Sequence, residues 1–534
     1  MIDILRAENA QLRAETAAQK SAILELTNKI NWLTEVLTGN KQKMFGASSE
    51  KTAYVDGSLQ LELFKDGATE ITVFDSTQES SSGKTKKRPI KKSETLAKLP
   101  KDFPVETIKC ELSEDECICP KCTEKMRAIG KEIVRRSLKI YPARAVVEEL
   151  EQYSYSCTNG CEKDSGVTGD PVPIIVKAQL PPQIIKGSIC TPETLAHIVV
   201  EKCIMGSPLY RQEAQWNRLG VPIPRQTMAD WVIRCSEHYF EPLYDELHRR
   251  LLQHMFLHSD ATTFQVLREP GKTPQSESCM WVHRTSGDAK HPIVVYEYQP
   301  DKKQERVNTF FRGYSGYLMT DGAVSYRRLP DEVIIVGCFS HCRRYFHDAL
   351  KTIKSTQEQK GSLALIGKEY CDKLFDIERD IKDMSFEQRY AARTTQAAPI
   401  LSELYAWLLS VQPYVAPKSK IGKAVDYALR QWKYLERYLL DGRIEISNNR
   451  CERSVKPFVI NRKNFLFAVS TAGAKATAVF HTITETAKES GLNPFEYISH
   501  VLHTAAGIDL KENPALVNML LPENAPESCK VATL

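Results

Sequence analysis

The sequence predicts a multidomain α/β protein, in which a large core of strands and helices follows several smaller N-terminal modules. Three observations predict this class. They are a heptad repeat at the start of the chain, two close pairs of cysteines between residues 101 and 185, and alternating strand-like and helical segments after residue 250. A chain of 534 residues that is 42% hydrophobic has enough apolar material for more than one core. A small peptide, a collagen and a wholly disordered chain are excluded.

The sequence also indicates the cellular compartment. The sequence contains no run of eighteen apolar residues, and it begins with a charged repeat instead of a signal peptide. We therefore expect a cytoplasmic protein without a membrane segment. The 15 cysteines are spread along a large chain, which favours metal ligation or burial over disulfides. The net charge of +5 is too weak to indicate a partner.

Residues 1–40 carry a heptad repeat. Its a positions are Ile2, Asn9, Thr16, Ile23, Ile30 and Leu37, and its d positions are Leu5, Leu12, Gln19, Leu26 and Leu33. Glu8 and Arg13, like Glu15 and Lys20, have the spacing of ion pairs between the helices of a parallel dimer. The repeat predicts a dimerising coiled coil, and hence a homodimer. The alternative is one amphipathic helix packed on its own chain.

Residues 41–100 have the composition of a basic linker. The serines at 80–82 and Gly83 lead into six lysines and arginines within nine residues, from Lys84 to Lys92. Such a run contacts phosphates without sequence preference, or it is simply a solvated tether.

Residues 101–185 predict a zinc-binding module built of strands. Cys119 and Cys122 form one close pair, and Cys157 and Cys161 form a second pair after a β-rich stretch. Two such pairs suit a tetrahedral site of four thiolates, which is a structural zinc site because no position stays open for chemistry. The alternative is that these thiols are buried or redox-active without a metal.

Residues 186–245 predict a helix-turn-helix. Helices are indicated from Pro192, over Leu209–Leu219 and from Gln226, and Gly220 lies in the turn between the last two. In a DNA-binding module of this kind, Arg225, Gln226 and Thr227 at the start of the last helix would contact DNA. Helix pairs that only pack together have the same pattern.

After residue 250 the sequence predicts three strands, a helix and a fourth strand. The strands are indicated at His254–His258, Cys279–His283, Pro292–Glu297 and Gly316–Thr320, with a further strand at Val333–Val336 and a helix opened by Ser340 and His341. This is the order of an RNase H-like domain, in which the first and fourth strands lie side by side.

Acidic residues follow two of these strands. Asp260 lies at or just beyond the end of the first strand, and Asp321 lies at the end of the fourth. Neighbouring carboxylates repel each other unless a cation neutralises them, and oxygen ligands favour Mg²⁺ or Mn²⁺. Glu452, at the start of a helix capped by an asparagine, is the third acid needed for a second ion. Glu445 ranks below it because it precedes the cap. The alternative is that each acid serves only a turn or a helix end.

Several segments carry a resemblance to a known family. They are Asp260–Leu267, Thr320–Tyr326, Gly337–Phe346, Ile446–Arg453 and Asn461–Ala468. The heptad, the stretch from Phe45 to Glu50, the paired cysteines, the run from Pro208 to Glu213 and the turn at Leu219 keep the same order over nearly the whole chain. This combination resembles the transposases of the insertion-sequence sixty-six family, TnpC type.

The resemblance implies a DDE transposase, in which three acids hold two metal ions on an RNase H-like fold. By this likeness Asp260, Asp321 and Glu452 are the three acids in order. An α-helical insertion over 349–444 would divide the core into residues 246–348 and 445–505, with 506–534 as a C-terminal tail. Ser447 stands where the family often has aspartate, and the second cysteine pair is one residue longer, which leaves zinc occupancy open.

The expected reaction is cleavage of DNA and strand transfer at the ends of a bacterial insertion sequence. Arg453, Lys456, Arg462 and Lys463 follow the third acid and would neutralise phosphates beside the cut. His341 and Arg344, one helical turn apart, are candidate accessory residues for the same cleft, although a structural histidine fits the sequence equally well.

The predicted partners are the terminal inverted repeats, target DNA, a second copy of the chain and, by the family likeness, companion small proteins of the element. Such a protein would lie at the nucleoid. Two other functions use the same features: an RNase H-like nuclease that cuts without joining, and an inactive DNA-binding regulator derived from a transposase.

Overall fold

A computed structural model describes residues 148–156, 162–164, 171–173, 175–177, 179–353 and 359–531, and the isolated positions 11, 13, 15, 16, 19, 20 and 26. The basic linker and the four predicted zinc ligands, Cys119, Cys122, Cys157 and Cys161, lie outside the described residues. The isolated positions near the N-terminus are all helical and exposed. Leu26, a d position of the heptad, is 59% exposed, which does not fit a helix packed on its own chain at this point.

Short antiparallel strand pairs lie in the second half of the predicted zinc module. Strand β1 (Ser154–Ser156) pairs with β4 (Ile175–Lys177), and β2 (Glu162–Asp164) pairs with β3 (Pro171–Pro173). These pairs agree with the β-rich character expected for this part of the chain.

A mixed six-stranded sheet forms the centre of the fold. Its strands are β5 Phe256–Arg268, β6 Glu277–Thr285, β7 Val294–Gln299, β8 Gly316–Thr320, β9 Val333–Gly337 and β10 Phe467–Ser470. The order is β7-β6-β5-β8-β9, and β10 pairs with the far end of β5. β5, β6 and β7 are antiparallel, whereas β8, β9 and β10 run parallel to β5 or to each other. The first and fourth strands of the predicted core therefore lie side by side.

Strand β5 is longer than predicted, which changes the place of Asp260. The sequence prediction put Asp260 at or beyond the end of this strand, but β5 continues to Arg268. Residues 261–265 continue the pairing with β6, and Gln265, Val266 and Arg268 pair with β10. What ends near Asp260 is the pairing with β8, whose last pair is His258 with Met319.

Helices surround the sheet on both sides. They are α1 Pro192–Cys203, α2 Leu209–Arg218, α3 Arg225–Cys235, α4 Glu241–Leu251, α5 Gln304–Phe310, α6 Phe339–Leu350, α7 Leu363–Asp380, α8 Phe386–Ala392, α9 Ala398–Val411, α10 Lys420–Leu435, α11 Asn449–Phe465, α12 Thr471–Glu489, α13 Pro494–Ala505 and α14 Pro514–Met519. Helix α1 starts at a proline and is capped by the Thr191 side chain, as is usual for a helix N-terminus. Within the described chain, none of these helices combines the length and the hydrophobicity that crossing a bilayer requires.

Helices α1 to α4 share one hydrophobic core with the sheet and with the C-terminal helices. Phe240, between α3 and α4, packs against Phe480 of α12 with ring centroids 5.0 Å apart. The prediction treats residues 186–245 as a separate module, but the apolar sides of these helices are covered by α12 and α13. The helix-turn-helix order itself is present, since a turn with Gly220 at φ +78° joins α2 to α3.

The segment predicted as a C-terminal tail belongs to this core. Leu510, Val517, Leu520 and Leu521 are buried in it, and the Tyr497 hydroxyl donates a hydrogen bond to the Leu520 carbonyl. The hydrophobic residues of this segment are too few and too irregularly spaced in the sequence to predict that it packs against the core.

Helices α7 to α10 form the predicted helical insertion. Together with α6 they build a second core, which reaches the sheet through Phe256, Met319 and Val336. The insertion thus covers one face of the sheet beside the ends of β8 and β9.

Candidate active site

The two aspartates lie next to each other across parallel strands. Asp260 and Asp321 each stand two residues beyond the last paired residues of β5 and β8, His258 and Met319. Because neighbouring strands are about 4.8 Å apart, continuing this register places the two aspartates side by side at the end of β8. The Asp260 carboxylate accepts a hydrogen bond from the Ala261 amide at 2.7 Å, and that of Asp321 accepts one from the Ala323 amide at 2.9 Å.

Glu452 is brought to the aspartates by Asn448. The sequence prediction made an asparagine side chain the cap of this helix, but the Asn448 side chain makes no capping bond. It reaches β5 instead, where its amide group donates to the Ser259 carbonyl at 2.9 Å and its oxygen lies 3.0 Å from His258 Nδ1. These bonds are fully buried, so the start of α11 is fixed beside Asp260.

Two residues of α6 face the Glu452 carboxylate. Arg344 Nη2 donates to Oε2 at 3.3 Å, and His341 Nδ1 lies 3.7 Å from Oε1. The second distance is too long for a hydrogen bond, and both of these buried atoms have no other hydrogen-bond partner within the described chain. Oε1 of Glu452 can therefore still accept a hydrogen bond from a water or bind an ion.

The surroundings of Asp260 disfavour its charged form. Burial raises the pKa of Asp260 to about 7, and the negative charges of Asp321 and Glu452 act in the same direction, against Lys302. Burial lowers the pKa of His341, and Arg344 adds to this effect while Glu452 and Asp321 oppose it. The site therefore combines an aspartate that resists ionisation with a histidine whose neutral form is favoured.

This donor set fits hard divalent cations. Carboxylate oxygens are the ligands that Mg²⁺ and Mn²⁺ prefer, and a cation would offset the burial and the neighbouring negative charges that raise the pKa of Asp260. Cys338, His341 and Glu452 also offer ligand atoms within 4.8 Å of one another. The Cys338 sulfur, however, accepts a hydrogen bond from the Asn448 amide, and burial raises its pKa to about 11, so it stays a thiol. The three carboxylates, and not the Cys338 thiol, are therefore the groups suited to bind a metal ion.

The helical insertion holds the loop that carries Asp321. The Tyr427 hydroxyl of α10 donates to the Asp321 carbonyl at 3.0 Å, and the Gln431 amide donates to the Gly322 carbonyl at 3.4 Å. Gly322 has φ +85°, and a Cβ there would lie 2.8 Å from Gln431. Sequence reasoning missed Tyr427 and Gln431 because they lie over a hundred residues from Asp321 and belong to no local motif.

Glu445, ranked below Glu452 from the sequence, has a different environment. Its Oε1 accepts hydrogen bonds from Arg450 Nε at 2.5 Å and from the Gly287 amide at 3.1 Å. Burial alone would raise its pKa, but His258, Arg450 and these hydrogen bonds bring it below the usual value. Its carboxylate is thus occupied by a structural ion pair.

The predicted phosphate-binding residues of α11 fall into two groups. Arg453, Lys456 and Lys463 are exposed. Arg462 instead donates from Nη1 to the Thr263 hydroxyl at 2.8 Å and to the Thr263 carbonyl, which ties the end of α11 to β5. A phosphate would have to compete with these bonds.

The predicted DNA-reading residues lie in the first turn of α3. Arg225 and Gln226 are exposed and Thr227 is half-buried. The Arg225 amide donates to the Glu213 carboxylate of α2 at 3.0 Å, which fixes the turn between the two helices.

Comparison with known families accounts for most of the chain. Residues 187–476 match the family model described as "Transposase IS66 family". Residues 116–162, which contain all four predicted zinc ligands, match "zinc-finger binding domain of transposase IS66". Residues 32–108 match "Transposase C of IS166 homeodomain".

Curated relatives match over nearly the full length. The chain is similar to two proteins of Sinorhizobium fredii (strain NBRC 101917 / NGR234), "Uncharacterized protein y4jD" and "Uncharacterized protein y4qI". Each is 27% identical to it, and the matches cover 92% and 95% of the chain and 93% and 92% of the respective relative.

Proposed function

Because the chain belongs to the IS66 family of transposases, we propose that it cuts the ends of its own insertion sequence and joins them to target DNA, with Asp260, Asp321 and Glu452 as the acids of the reaction. The observation that carries this proposal is the placement of the acids. Asp260 and Asp321 follow the last pair of the neighbouring strands β5 and β8, and the Asn448 bond to the Ser259 carbonyl holds the start of the helix that carries Glu452 beside them. The match to a transposase family supports DNA as the partner.

We infer that the catalytic core is RNase H-like. Supporting observations are the antiparallel β5-β6-β7 meander, the parallel addition of β8 and β9 on the other side of β5, and an acid at the junction of β5 and β8. The helical insertion between β9 and α11 fits the same scheme, since it adds helices without interrupting the sheet.

In the proposed mechanism the three carboxylates would hold two divalent ions. Such ions would supply Lewis acidity to the attacking water or 3′-hydroxyl and to the leaving oxygen. Asp260 and Asp321 bind from the sheet and Glu452 from α11, while Arg344 orients the Glu452 carboxylate. The exposed cations Arg453, Lys456 and Lys463 would neutralise the DNA phosphates beside the cut.

The remaining modules would find and pair the ends. We propose that Arg225, Gln226 and Thr227 contact the terminal inverted repeats, that four cysteines hold a structural zinc, and that the N-terminal heptad pairs two protomers at the nucleoid, with companion small proteins of the element assisting. If Leu12→Pro pairs two DNA ends as well as the wild type does, the heptad does not have this role.

The test uses purified protein, the companion small proteins of the element, Mg²⁺ or Mn²⁺, and DNA that carries the element's own ends. Asp260→Asn, Asp321→Asn and Glu452→Gln should each lower end cleavage by more than roughly a hundredfold. Glu277→Gln, which changes an exposed acid at the first residue of β6, is the control, and it should stay within about twofold of wild type. Unchanged cleavage in any of the three acid variants contradicts the assignment. Cleavage by the wild type without joining to a target plasmid would point to a nuclease instead.

A further inference from the structure

A pocket of about 260 Å³ opens beside Asp321, and the proposed chemistry does not use most of it. Three parts of the chain line it: the loop after β8, helix α6 and helix α10 of the insertion. Its lining residues are Asp321, Gly322, Ala323, Arg327, His341, Tyr345, Tyr427, Arg430 and Gln431. The pocket thus shares Asp321 and His341 with the active site and extends away from it along the insertion.

The lining combines aromatic rings with positive charge. Tyr345 of α6 stacks on Tyr427 of α10 with ring centroids 4.5 Å apart and planes 27° from parallel, and Tyr345 is 40% exposed. Arg327 is exposed, and the Arg430 side chain is also largely in solvent, where it pairs with Asp426. An aromatic face next to guanidinium groups suits a ligand that is flat, aromatic and anionic, which describes a nucleotide.

The position and size of the pocket limit which nucleotide can enter. A phosphodiester held at Asp321 and Glu452 has its neighbouring nucleotide within reach of the pocket, because Asp321 belongs to both sites. A volume of about 260 Å³ is below the usual range for drug-sized ligands, and a single pair of stacked rings lines it, so the pocket suits one base. The base must therefore leave the duplex stack, as it does in enzymes that act on extruded bases.

We propose that this pocket receives a single unstacked nucleotide next to the scissile phosphate, with its base continuing the stack of Tyr345 on Tyr427 and its phosphate facing Arg430 and Arg327. The inference rests on the proposed function, since it assumes that DNA is cut at the three acids. It assigns to the helical insertion a direct contact with the substrate.

The first experiment measures base unstacking in a variant that does not cleave DNA. Full-length protein carrying Asp260→Asn is bound to DNA with the element's ends, in which 2-aminopurine replaces single bases on either side of the cut. We expect a change in fluorescence at one flanking position and none at interior duplex positions. In the same background, Tyr345→Leu should abolish the change and Tyr345→Phe should keep it, because the ring and not the hydroxyl stacks. Tyr390→Leu, which removes a tyrosine that is 48% exposed on α8, is the control and should leave the signal intact.

The second experiment separates a role in binding the base from a structural role of Tyr345. On normal DNA ends, Tyr345→Leu should cleave roughly tenfold more slowly than Tyr345→Phe. On ends with an abasic nucleotide at the flanking position, the two variants should cleave at equal rates, because no base remains to be stacked. An equal defect on both substrates would overturn the proposal, as would a fluorescence signal that Tyr345→Leu leaves unchanged.

Failure of the proposed function gives a different result. If the wild type does not cut the ends in Mg²⁺ or Mn²⁺, the assignment of the three acids fails, and the pocket inference fails with it. If the wild type cuts and Tyr345→Leu matches it on both substrates, only the pocket inference is wrong.

Discussion

Asp260 is the acid of the site whose ionisation is most disfavoured by its surroundings. Its pKa of about 7 in the folded protein lies far above the usual value near 3.8, because burial and two neighbouring acids oppose its ionisation. Between these two values the folded protein holds a proton that the unfolded chain has lost. The corresponding stability is complete at low pH and is lost as pH rises through 7.

This predicts a pH-dependent stability in protein freed of divalent ions. From pH 5.5 to 8.5 the free energy of unfolding should fall by about 2 kcal/mol through Asp260 alone. Urea denaturation at several pH values measures it, and Asp260→Asn should flatten the slope. Added Mg²⁺ should restore stability at pH 8.5, because the ion replaces the proton. An identical slope in wild type and Asp260→Asn would show that Asp260 titrates normally.

Arg344 provides a second prediction at this scale. It donates to the Glu452 carboxylate from a side chain that is 41% exposed, so its loss should leave the fold intact and misplace the acid. Arg344→Gln should cleave roughly tenfold more slowly at saturating DNA, with a melting temperature close to that of wild type. The neighbouring Arg343 pairs with Asp372 instead, which makes Arg343→Gln the matched control. Equal rates for the two variants would leave Arg344 without a role.

At the scale of elements, the helical insertion positions the second aspartate. Helix α10 binds the loop after β8 at two successive carbonyls, those of Asp321 and Gly322. The insertion is therefore more than a cover for the sheet, because the place of a proposed metal ligand depends on it.

Removal of one of these bonds should weaken the site without unfolding it. Tyr427→Phe deletes the hydrogen bond to the Asp321 carbonyl, which is worth about 1 kcal/mol, and keeps the ring. We expect cleavage to fall roughly fivefold and the Mg²⁺ requirement to rise, both measured in a metal titration. Tyr405→Phe, on a tyrosine that stacks on Trp432 elsewhere in the insertion, should behave as wild type. A wild-type titration curve for Tyr427→Phe would refute the positioning role.

The elements also show how far sequence reasoning reaches. Strand order and the neighbouring positions of Asp260 and Asp321 could be predicted, because alternation and strand ends are local signals. The hydrogen bond from Asn448 to the Ser259 carbonyl could not be predicted. An asparagine before a helix is expected to cap it unless its tertiary partner is known. The same holds for Tyr427 and Gln431, whose contacts depend on packing between distant segments.

At the scale of the molecule, one hydrophobic core joins the first helices to the last residues. Leu521 is fully buried in it, although it lies in the segment that the sequence pattern marked as a tail. Leu521→Ala should lower the free energy of unfolding by about 2–5 kcal/mol, measured by urea denaturation. Met519, two residues away and 66% exposed, supplies the control Met519→Ala, which should change it by less than about 0.5 kcal/mol. Equal losses in the two variants would contradict the packing described for this segment.

The shared core has a consequence for synthesis. Helices α1 to α4 emerge from the ribosome several hundred residues before α13 and the segment that follows it, yet these later parts cover their apolar side. A nascent chain that has not yet reached α13 leaves that apolar side exposed to water. The helices that carry the proposed DNA contacts therefore gain their supporting core late in synthesis.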